Sequence, residues 1–219
     1  MTEPVPRLFV TALADLTRWL EAAGVRAMIV GGIAASILGR PRATRDIDAL
    51  AVVPDDQWTQ LLESSKAHGI LSRIENPLEF ARRTRVLLLR HTESGIDIDI
   101  ILSGLPFEAE AVSRAKVHDL SGVRVRLPQV EDLLIMKAIA HRPQDLRDIE
   151  GLLDVFPTAN VESVRRWVRD FAAAAELPEL PEELERLLAQ RKPRSPGASD
   201  SAQNAAKSDH GKRRKGSKR

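Results

Sequence analysis

Cysteine is absent from this chain of 219 residues, and aromatic residues make up only 4% of it, with no tyrosine. Without cysteine the chain has no disulfide, thiolate zinc site or cysteine nucleophile, which fits a cytoplasmic protein. The few aromatic residues are too scattered to form a base-stacking surface for RNA. No apolar run reaches the roughly 18 residues of a membrane-spanning helix, and no secretory signal pattern opens the sequence, so we expect no membrane association.

The basic character of the chain is concentrated at its end. Residues 192–219 contain nine Lys or Arg and two Asp, so they contribute +7 and the rest of the chain −5 to the net charge of +2. Residues 193–219 are rich in Ser, Ala, Gly and Lys, and cannot bury enough apolar surface to offset the entropy of ordering. We predict a disordered basic tail, which either binds RNA or DNA through residues 212–215 or only solubilises the chain.

Hydrophobic patterning predicts a mixed α/β (α+β) half over residues 1–128 and a helical half over residues 129–192. Glycine and proline end most segments, and Asp55 or Asp56 is placed to cap a helix. The predicted strands cover residues 27–30, 46–53, 84–90, 96–102, 117–120 and 123–127. The predicted helices cover residues 8–23, 33–38, 55–68, 106–114, 130–141, 144–155, 160–174 and 181–191.

Acidic residues occur inside two of the predicted strands, where burial is costly. Asp46 and Asp48 are two apart in the first strand, and Asp97 and Asp99 are two apart in the second. Because strand side chains alternate between faces, each pair projects from one side. If the strands are neighbours, three or four carboxylates converge, and such a cluster needs protons or cations. Oxygen ligands of this kind suit Mg²⁺ or Mn²⁺, and pairs of these ions drive phosphoryl and nucleotidyl transfer.

A glycine pair precedes the first acidic strand. Thirteen residues separate Gly31-Gly32 from Asp46. Because they lack side chains, these glycines let the backbone approach a triphosphate closely, and the helix that follows would offer it unpaired amides. A Gly-Gly pair alone is most often a turn. Its spacing from the Asp-x-Asp pair favours a phosphate-binding role.

Basic side chains lie immediately before the same acidic pair. Arg42 and Arg45 either balance the carboxylates as structural ion pairs or contact triphosphate oxygens, which the planar guanidinium suits. We favour nucleotide contact for one of the two. Thr44, between them, is placed to orient the loop through a hydroxyl–backbone hydrogen bond.

These motifs together resemble a known group. The Gly-Gly pair, the thirteen-residue spacing and the sequence Asp-Ile-Asp-Ala at 46–49 resemble the signature of the nucleotidyltransferase fold shared by DNA polymerase β and many small nucleotide-adding enzymes. More narrowly, residues 42–48 and the acidic and lysine positions within 131–148 resemble the AbiEii/MenT-like branch, whose members are often toxins of bacterial toxin–antitoxin pairs. Gly32 departs from the Ser of many relatives. The resemblance covers residues 30–153 and implies a polymerase-β-like core with a mixed sheet.

The resemblance also implies roles for individual residues. Asp99 would be the third metal ligand beside the Asp-x-Asp pair, because residues 99–104 look like the matching family strand. Asp97 would then be either an outer group of the site or a solvated strand-edge residue. Lys137 would neutralise phosphate charge. Asp148 would act in the site or form an ion pair with Lys137.

The sequence therefore predicts a nucleotidyltransferase that uses two Mg²⁺ or Mn²⁺ ions, held by Asp46 and Asp48. It would move a nucleoside monophosphate from a nucleoside triphosphate to a hydroxyl. Within that function, the resemblance implies an RNA or tRNA acceptor, a toxin role and an antitoxin protein as partner. The alternatives are an antibiotic- or protein-modifying nucleotidyltransferase and a domain that binds nucleotides without catalysis.

Overall fold

The computed structural model describes residues 7–190, and within them the chain forms a mixed α/β fold around a five-stranded sheet. The predicted basic tail at 193–219 lies outside the described residues. The strands are β1 (Arg26–Ile29), β2 (Asp46–Val52), β3 (Ile70–Ser72), β4 (Val86–His91), β5 (Asp97–Leu102), β6 (Lys116–Leu120) and β7 (Val123–Leu127). The helices are α1 (Arg7–Ala22), α2 (Gly31–Leu38), α3 (Trp58–Ser65), α4 (Pro77–Thr84), α5 (Pro106–Arg114), α6 (Val130–Ala140), α7 (Pro143–Val155), α8 (Val161–Ala175) and α9 (Glu179–Ala189).

The sheet is mixed, as predicted, with strand order β1-β2-β5-β4-β3. Strands β2 and β5 are parallel, and every other neighbouring pair in this sheet is antiparallel. Strands β4 and β5 form the predicted hairpin, while β6 and β7 form a separate two-stranded hairpin. The turn of that second hairpin contains Ser121 and Gly122, both at positive φ. The parallel pair matters most, because it sets the two acidic strands side by side.

The two faces of the sheet differ in chemistry. One face carries alternate apolar residues of β2, β5 and β4, such as Ile47, Ile98 and Leu89, and all three are fully buried. The opposite face carries the acidic residues at one end and partly buried apolar residues, including Ile101 and Val86, at the other. The strict two-residue alternation along each strand produces this separation. Burial of the apolar face anchors the strands that display the carboxylates.

Helices of the C-terminal half pack against the core rather than forming a detached unit. Helix α6 contacts α7, α8 and α9, and α7 also contacts α2 of the N-terminal half. The rings of Phe107 in α5 and Trp167 in α8 lie 5.0 Å apart between centroids. Contacts therefore cross the division predicted between residues 128 and 129, which stays a prediction. Within residues 7–190, none of the helices is both long enough and apolar enough to cross a membrane.

The structure departs from the predicted elements mainly between residues 55 and 84. Neither β3 nor α4 was predicted, and Thr84 ends a helix instead of beginning a strand. The expected helix at 55–68 is α3 flanked by 3₁₀ turns, without a side-chain cap from either aspartate. The pair Asn76-Pro77 was a missed start signal, since proline suits the first helical turn. Helix α9 begins before Pro181 for the same reason.

Candidate active site

Four carboxylates lie together on one face of the parallel pair β2–β5. Asp46 is opposite Asp97, and Asp48 is opposite Asp99, in the strand register. Residues directly opposite each other on neighbouring strands point to the same face of the sheet, so all four side chains project from one side. Asp46 is exposed and the other three are partly buried. The two acidic motifs, distant in sequence, thus form one cluster.

Asp48 has a strongly raised pKa. Its burial, followed by the nearby charges of Asp46 and Asp99, raises its pKa from 3.8 to about 6, against the opposing effect of Lys137 and Arg142. Within residues 7–190 its carboxylate accepts no hydrogen bond and forms no ion pair. A partly buried carboxylate of this kind favours either a proton or a cation.

Asp97 and Asp99 are paired with arginines. Arg73 Nη1 lies 2.7 Å from Asp97 Oδ2, and Arg73 Nη2 lies 2.5 Å from Asp99 Oδ1. Arg90 Nε donates to the other oxygen of Asp97 at 2.7 Å. The hydrogen bond from Arg90 is the main cause that lowers the pKa of Asp97. Burial raises the pKa of Asp99 despite the opposing charge of Arg73. Asp97 is therefore a paired residue and not a solvated strand edge.

Both glycines of the Gly-Gly pair are required by close contacts. Gly31 has φ +59°, and a Cβ at this position would collide with the Asp48 carboxylate. A Cβ on Gly32 would lie 2.5 Å from Thr44 Oγ1. Helix α2 begins at Gly31, so its first amides have no partner inside the helix. The start of α2 therefore lies beside Asp48 and Thr44.

In the loop before β2, Arg42 and Thr44 are hydrogen-bonded to aspartates, whereas Arg45 is exposed. Arg42 holds Asp148 with two hydrogen bonds, from Nε to Oδ1 at 2.8 Å and from Nη2 to Oδ2 at 3.0 Å. Thr44 Oγ1 donates to Asp46 Oδ1 at 3.0 Å, so it orients a carboxylate as well as the loop. Arg45 is exposed and forms no ion pair in the described part of the chain. The structure brings Arg42 and Thr44 beside Gly32 and leaves Arg45 open to solvent.

Lys137 lies at the centre of a buried ionic network. Its side chain is 5% exposed, and Nζ lies 2.8 Å from Asp145 Oδ1 and 2.9 Å from Asp148 Oδ2. Arg142 Nε pairs with the second oxygen of Asp145 at 2.7 Å. Burial alone would raise the pKa of both aspartates, but hydrogen bonds from Arg142, Arg42 and Lys137 outweigh it and lower them. Three cations thus surround two carboxylates, which leaves a positive charge beside the acidic cluster.

A cavity of about 380 Å³ adjoins both clusters. Asp48, Asp99, Lys137 and Arg142 line its charged end. Its remaining wall is mostly apolar and comes from the sheet, α5, α6 and α8. The apolar lining includes Val86, Ile101, Leu105, Phe107, Met136 and Phe171.

The donor set fits a divalent cation in part. Within residues 7–190, no group of three or more acidic, histidine or cysteine side chains has the geometry to hold a metal ion. One oxygen of Asp99, Oδ1, is paired with Arg73. Asp46 and Asp48 fit, since they supply hard oxygen donors and neither is paired with a cation in the described part of the chain.

Sequence reasoning missed Arg73, Arg90 and Arg142. Arg73 follows β3, a three-residue strand with no usable periodicity, and only the pairing of β3 with β4 brings it to the cluster. Arg90 was visible as the residue that faces Asp97 across the predicted hairpin. Arg142 immediately precedes Pro143, and nothing in the local sequence connects it to the distant acidic strands.

The mixed sheet, with its Asp-x-Asp strand beside a glycine-initiated helix, agrees with the nucleotidyltransferase class that the motifs resemble. The chain belongs to the family described as nucleotidyltransferase of unknown function (DUF6036), whose model matches residues 11–179. The match covers β1 to β7 and most of the helical half, so it includes every residue of the candidate site.

Solved structures support the same fold. The solution structure of the antibiotic-resistance factor ANT(2'')-Ia matches with a TM-score of 0.53 and 15% identity, over 78% of this chain and 95% of that one. The crystal structure of ANT(2'')-Ia with adenylyl-2''-tobramycin matches with 0.51 and 17%, over 76% and 98%. The Thermotoga maritima CCA-adding enzyme complexed with tRNA matches with a TM-score of 0.41 and 14% identity, over 87% of this chain and 50% of that one. A search of curated proteins finds no match.

Proposed function

We propose that the chain transfers a nucleoside monophosphate from a nucleoside triphosphate to a hydroxyl acceptor and releases pyrophosphate. The observation that carries this proposal is the contact between Gly31 and Asp48. It sets a carboxylate that has no hydrogen-bond or ion-pair partner within residues 7–190 beside the first residue of α2. Negative charge and exposed backbone donors at one point suit a cation and a phosphate together.

The triphosphate would bind at the start of α2. The amides of Gly31 and Gly32 would donate to its oxygens, and Arg42 would contact them from the adjacent loop. Asp148 fixes the Arg42 guanidinium through two hydrogen bonds and so acts as a positioning residue. Lys137 is buried and holds two carboxylates, so its role would be to anchor Asp148 and to supply positive charge from behind.

Asp46 and Asp48 would hold Mg²⁺ or Mn²⁺, with Thr44 orienting Asp46 through its hydroxyl. Bound there, a divalent ion would offset the charge that develops on the phosphates during transfer. Arg45, which is exposed and unpaired within residues 7–190, would provide a further contact for the nucleotide. These assignments combine the roles that the resemblance implies for the motif residues with the contacts described above.

For the acceptor, the resemblance to AbiEii/MenT-like proteins supports RNA, with tRNA 3′ ends among the candidates. It also supports the toxin role with an antitoxin as partner. The basic residues of 192–219 agree with an RNA acceptor. A gene for an antitoxin beside this one, with growth arrest on expression that the neighbour relieves, would support the toxin role. Growth that is unaffected by expression would count against it.

A small molecule is the second candidate acceptor, and the cavity beside Asp48 favours it. Its size and largely apolar wall are typical of sites for compact organic ligands. The likeness to ANT(2'')-Ia, a structure solved with adenylyl-2''-tobramycin, agrees with a hydroxylated small molecule as acceptor.

The test is a transfer assay with each α-labelled triphosphate in turn, Mg²⁺, and either total tRNA or a fraction of small metabolites. The matched control is Asp46→Ala, a change at an exposed position that should leave the fold intact. Label on tRNA that depends on Asp46 would establish an RNA acceptor. Label on small molecules alone would establish the second candidate. Label in neither fraction would favour a domain that binds nucleotides without catalysis.

A further inference from the structure

Arg73 is one of the three arginines of the candidate site to which the family resemblance assigns no role. It directly follows β3, and its backbone amide donates to Leu88 of β4 at 3.1 Å, so its main chain is fixed to the sheet. Its guanidinium reaches both carboxylates of β5, at 2.7 Å for Asp97 and 2.5 Å for Asp99. The side chain is 23% exposed, which makes it a largely buried cation.

The arginines paired with the acidic cluster neutralise only its two β5 carboxylates. Four carboxylates carry −4, and Arg73 and Arg90 return +2 to the β5 side of the cluster. The remaining −2 belongs to Asp46 and Asp48 on β2, and neither has a cationic partner within residues 7–190. Because the net positive charge of the Lys137 network also acts on Asp48, a single divalent ion is enough to offset that remainder. A second ion at Asp99 would have to share that carboxylate with Arg73.

The geometry of Asp99 opposes such a second ion. Its Oδ1 is already paired, and arginine keeps its charge at every physiological pH, so the pair cannot be released by loss of a proton. The planar guanidinium is held by two carboxylates at once, which fixes it more firmly than one contact would. Arg73 therefore already supplies Asp99 with the positive charge that a second cation would otherwise bring.

We propose that the Arg73 guanidinium substitutes for a second metal ion, so that the site binds one divalent cation, at Asp46 and Asp48. This inference rests on the proposed function and changes the two-metal expectation drawn from the sequence. Arg73 acts through Asp99, as a positioning residue and a permanent counter-charge. The test is therefore made on metal binding by the protein alone, without nucleotide or acceptor.

The experiment measures the stoichiometry and affinity of Mn²⁺ binding by electron paramagnetic resonance at about pH 8, well above the pKa of Asp48. The proteins are the full chain, Arg73→Gln and Arg90→Gln. Arg90→Gln is the matched control, since it removes an arginine from Asp97 and leaves the Arg73–Asp99 pair in place. Thermal unfolding in EDTA checks that each variant is folded.

The full chain should bind one Mn²⁺, and Arg90→Gln should behave like it. Arg73→Gln frees a carboxylate oxygen, so it should bind a second ion or tighten Mn²⁺ by about tenfold, the usual size of an effect from a neighbour of a metal site. Two ions in the full chain, no ion at all, or Arg73→Gln identical to the full chain would overturn the inference.

If Arg73→Gln does not fold, Asp99→Asn makes the same distinction. It should keep the single ion, since Asp99 is not its ligand, whereas loss of binding in this variant would overturn the proposal. None of these results depends on nucleotidyl transfer. An inactive protein that binds one Mn²⁺ would contradict the proposed function alone, and an active one that binds two would contradict only the role of Arg73.

Discussion

Replacing Asp48 by asparagine should stabilise the fold while it removes the function. The wild-type carboxylate is partly buried, faces two other acidic residues and has no partner within residues 7–190. Its ionisation in the folded state is therefore unfavourable, and the folded protein bears that cost whenever the pH exceeds the pKa. An asparagine has nearly the same shape and no charge to desolvate.

The size of the effect follows from the pKa of Asp48, which burial raises from 3.8 to about 6. At about 1.4 kcal/mol per pH unit, ionised Asp48 costs the fold roughly 3 kcal/mol above pH 6. Because the buried amide of asparagine is also imperfectly satisfied, we expect a net gain in unfolding free energy of about 1 to 3 kcal/mol. For a chain of this size, each kcal/mol raises Tm by roughly 2 to 4 °C.

The pH dependence identifies the cause. Between about pH 4 and 6 the folded protein holds a proton on Asp48 that the unfolded chain has lost, so wild-type stability falls as pH rises through this window. The advantage of Asp48→Asn should therefore fall by about 2 kcal/mol between pH 8 and pH 4.5. Urea unfolding in EDTA at both pH values measures it. Millimolar Mg²⁺ should stabilise the wild type and leave Asp48→Asn unchanged.

Asp97→Asn is the matched control, because its two arginines lower the pKa of Asp97 instead of raising it. Its contribution to stability is present above the unfolded pKa and is lost as pH falls through the lower folded value, so this variant should lose stability at pH 8. If Asp48→Asn were no more stable than wild type at pH 8, the ionised Asp48 carboxylate would not destabilise the fold as we expect. An equal gain at pH 4.5 would contradict that expectation as well.

Three further changes test the rest of the site. Lys137→Met leaves Asp145 and Asp148 without their buried cation, so unfolding free energy should drop by about 3 to 5 kcal/mol in urea titration; a drop below 1 would contradict the network. Arg42→Lys cannot keep both hydrogen bonds to Asp148, so nucleotide affinity measured by calorimetry should fall about tenfold, and unchanged affinity would remove Arg42 from the nucleotide site. Gly31→Ala forces a Cβ into the Asp48 carboxylate at positive φ, so it should cost about 1 to 3 kcal/mol and abolish transfer, whereas full activity would disprove the required contact.

The sequence predicted the acidic strands and their neighbours well because these features are local. Asp46 and Asp48 alternate with buried residues, and an uncompensated carboxylate in an apolar strand signals a site by itself. The glycine pair was equally easy to identify, but its packing against the acidic strand could not be predicted. Contact of Gly31 with Asp48 depends on how α2 packs against β2, and no spacing rule predicts that contact.

The basic half of the site could be predicted only in part, because its interactions connect distant segments. Lys137 is on a helix where lysines are usually solvated, yet it is almost fully buried between Asp145 and Asp148. Arg42 and Asp148 are far apart in sequence, and their contact follows from the packing of α2 on α7. Arg73 depends on a three-residue strand whose identity comes from its partner rather than from its own pattern.

The most direct test of nucleotidyl transfer compares a triphosphate labelled at the α-phosphorus with one labelled at the γ-phosphorus, with Mg²⁺ and cell-derived acceptors. We expect the α-label to reach the acceptor and the γ-label to leave as pyrophosphate. Asp46→Ala and Asp48→Asn should abolish both. Transfer of the γ-label to the acceptor, or α-label transfer that survives in Asp48→Asn, would contradict the proposed nucleotidyl transfer.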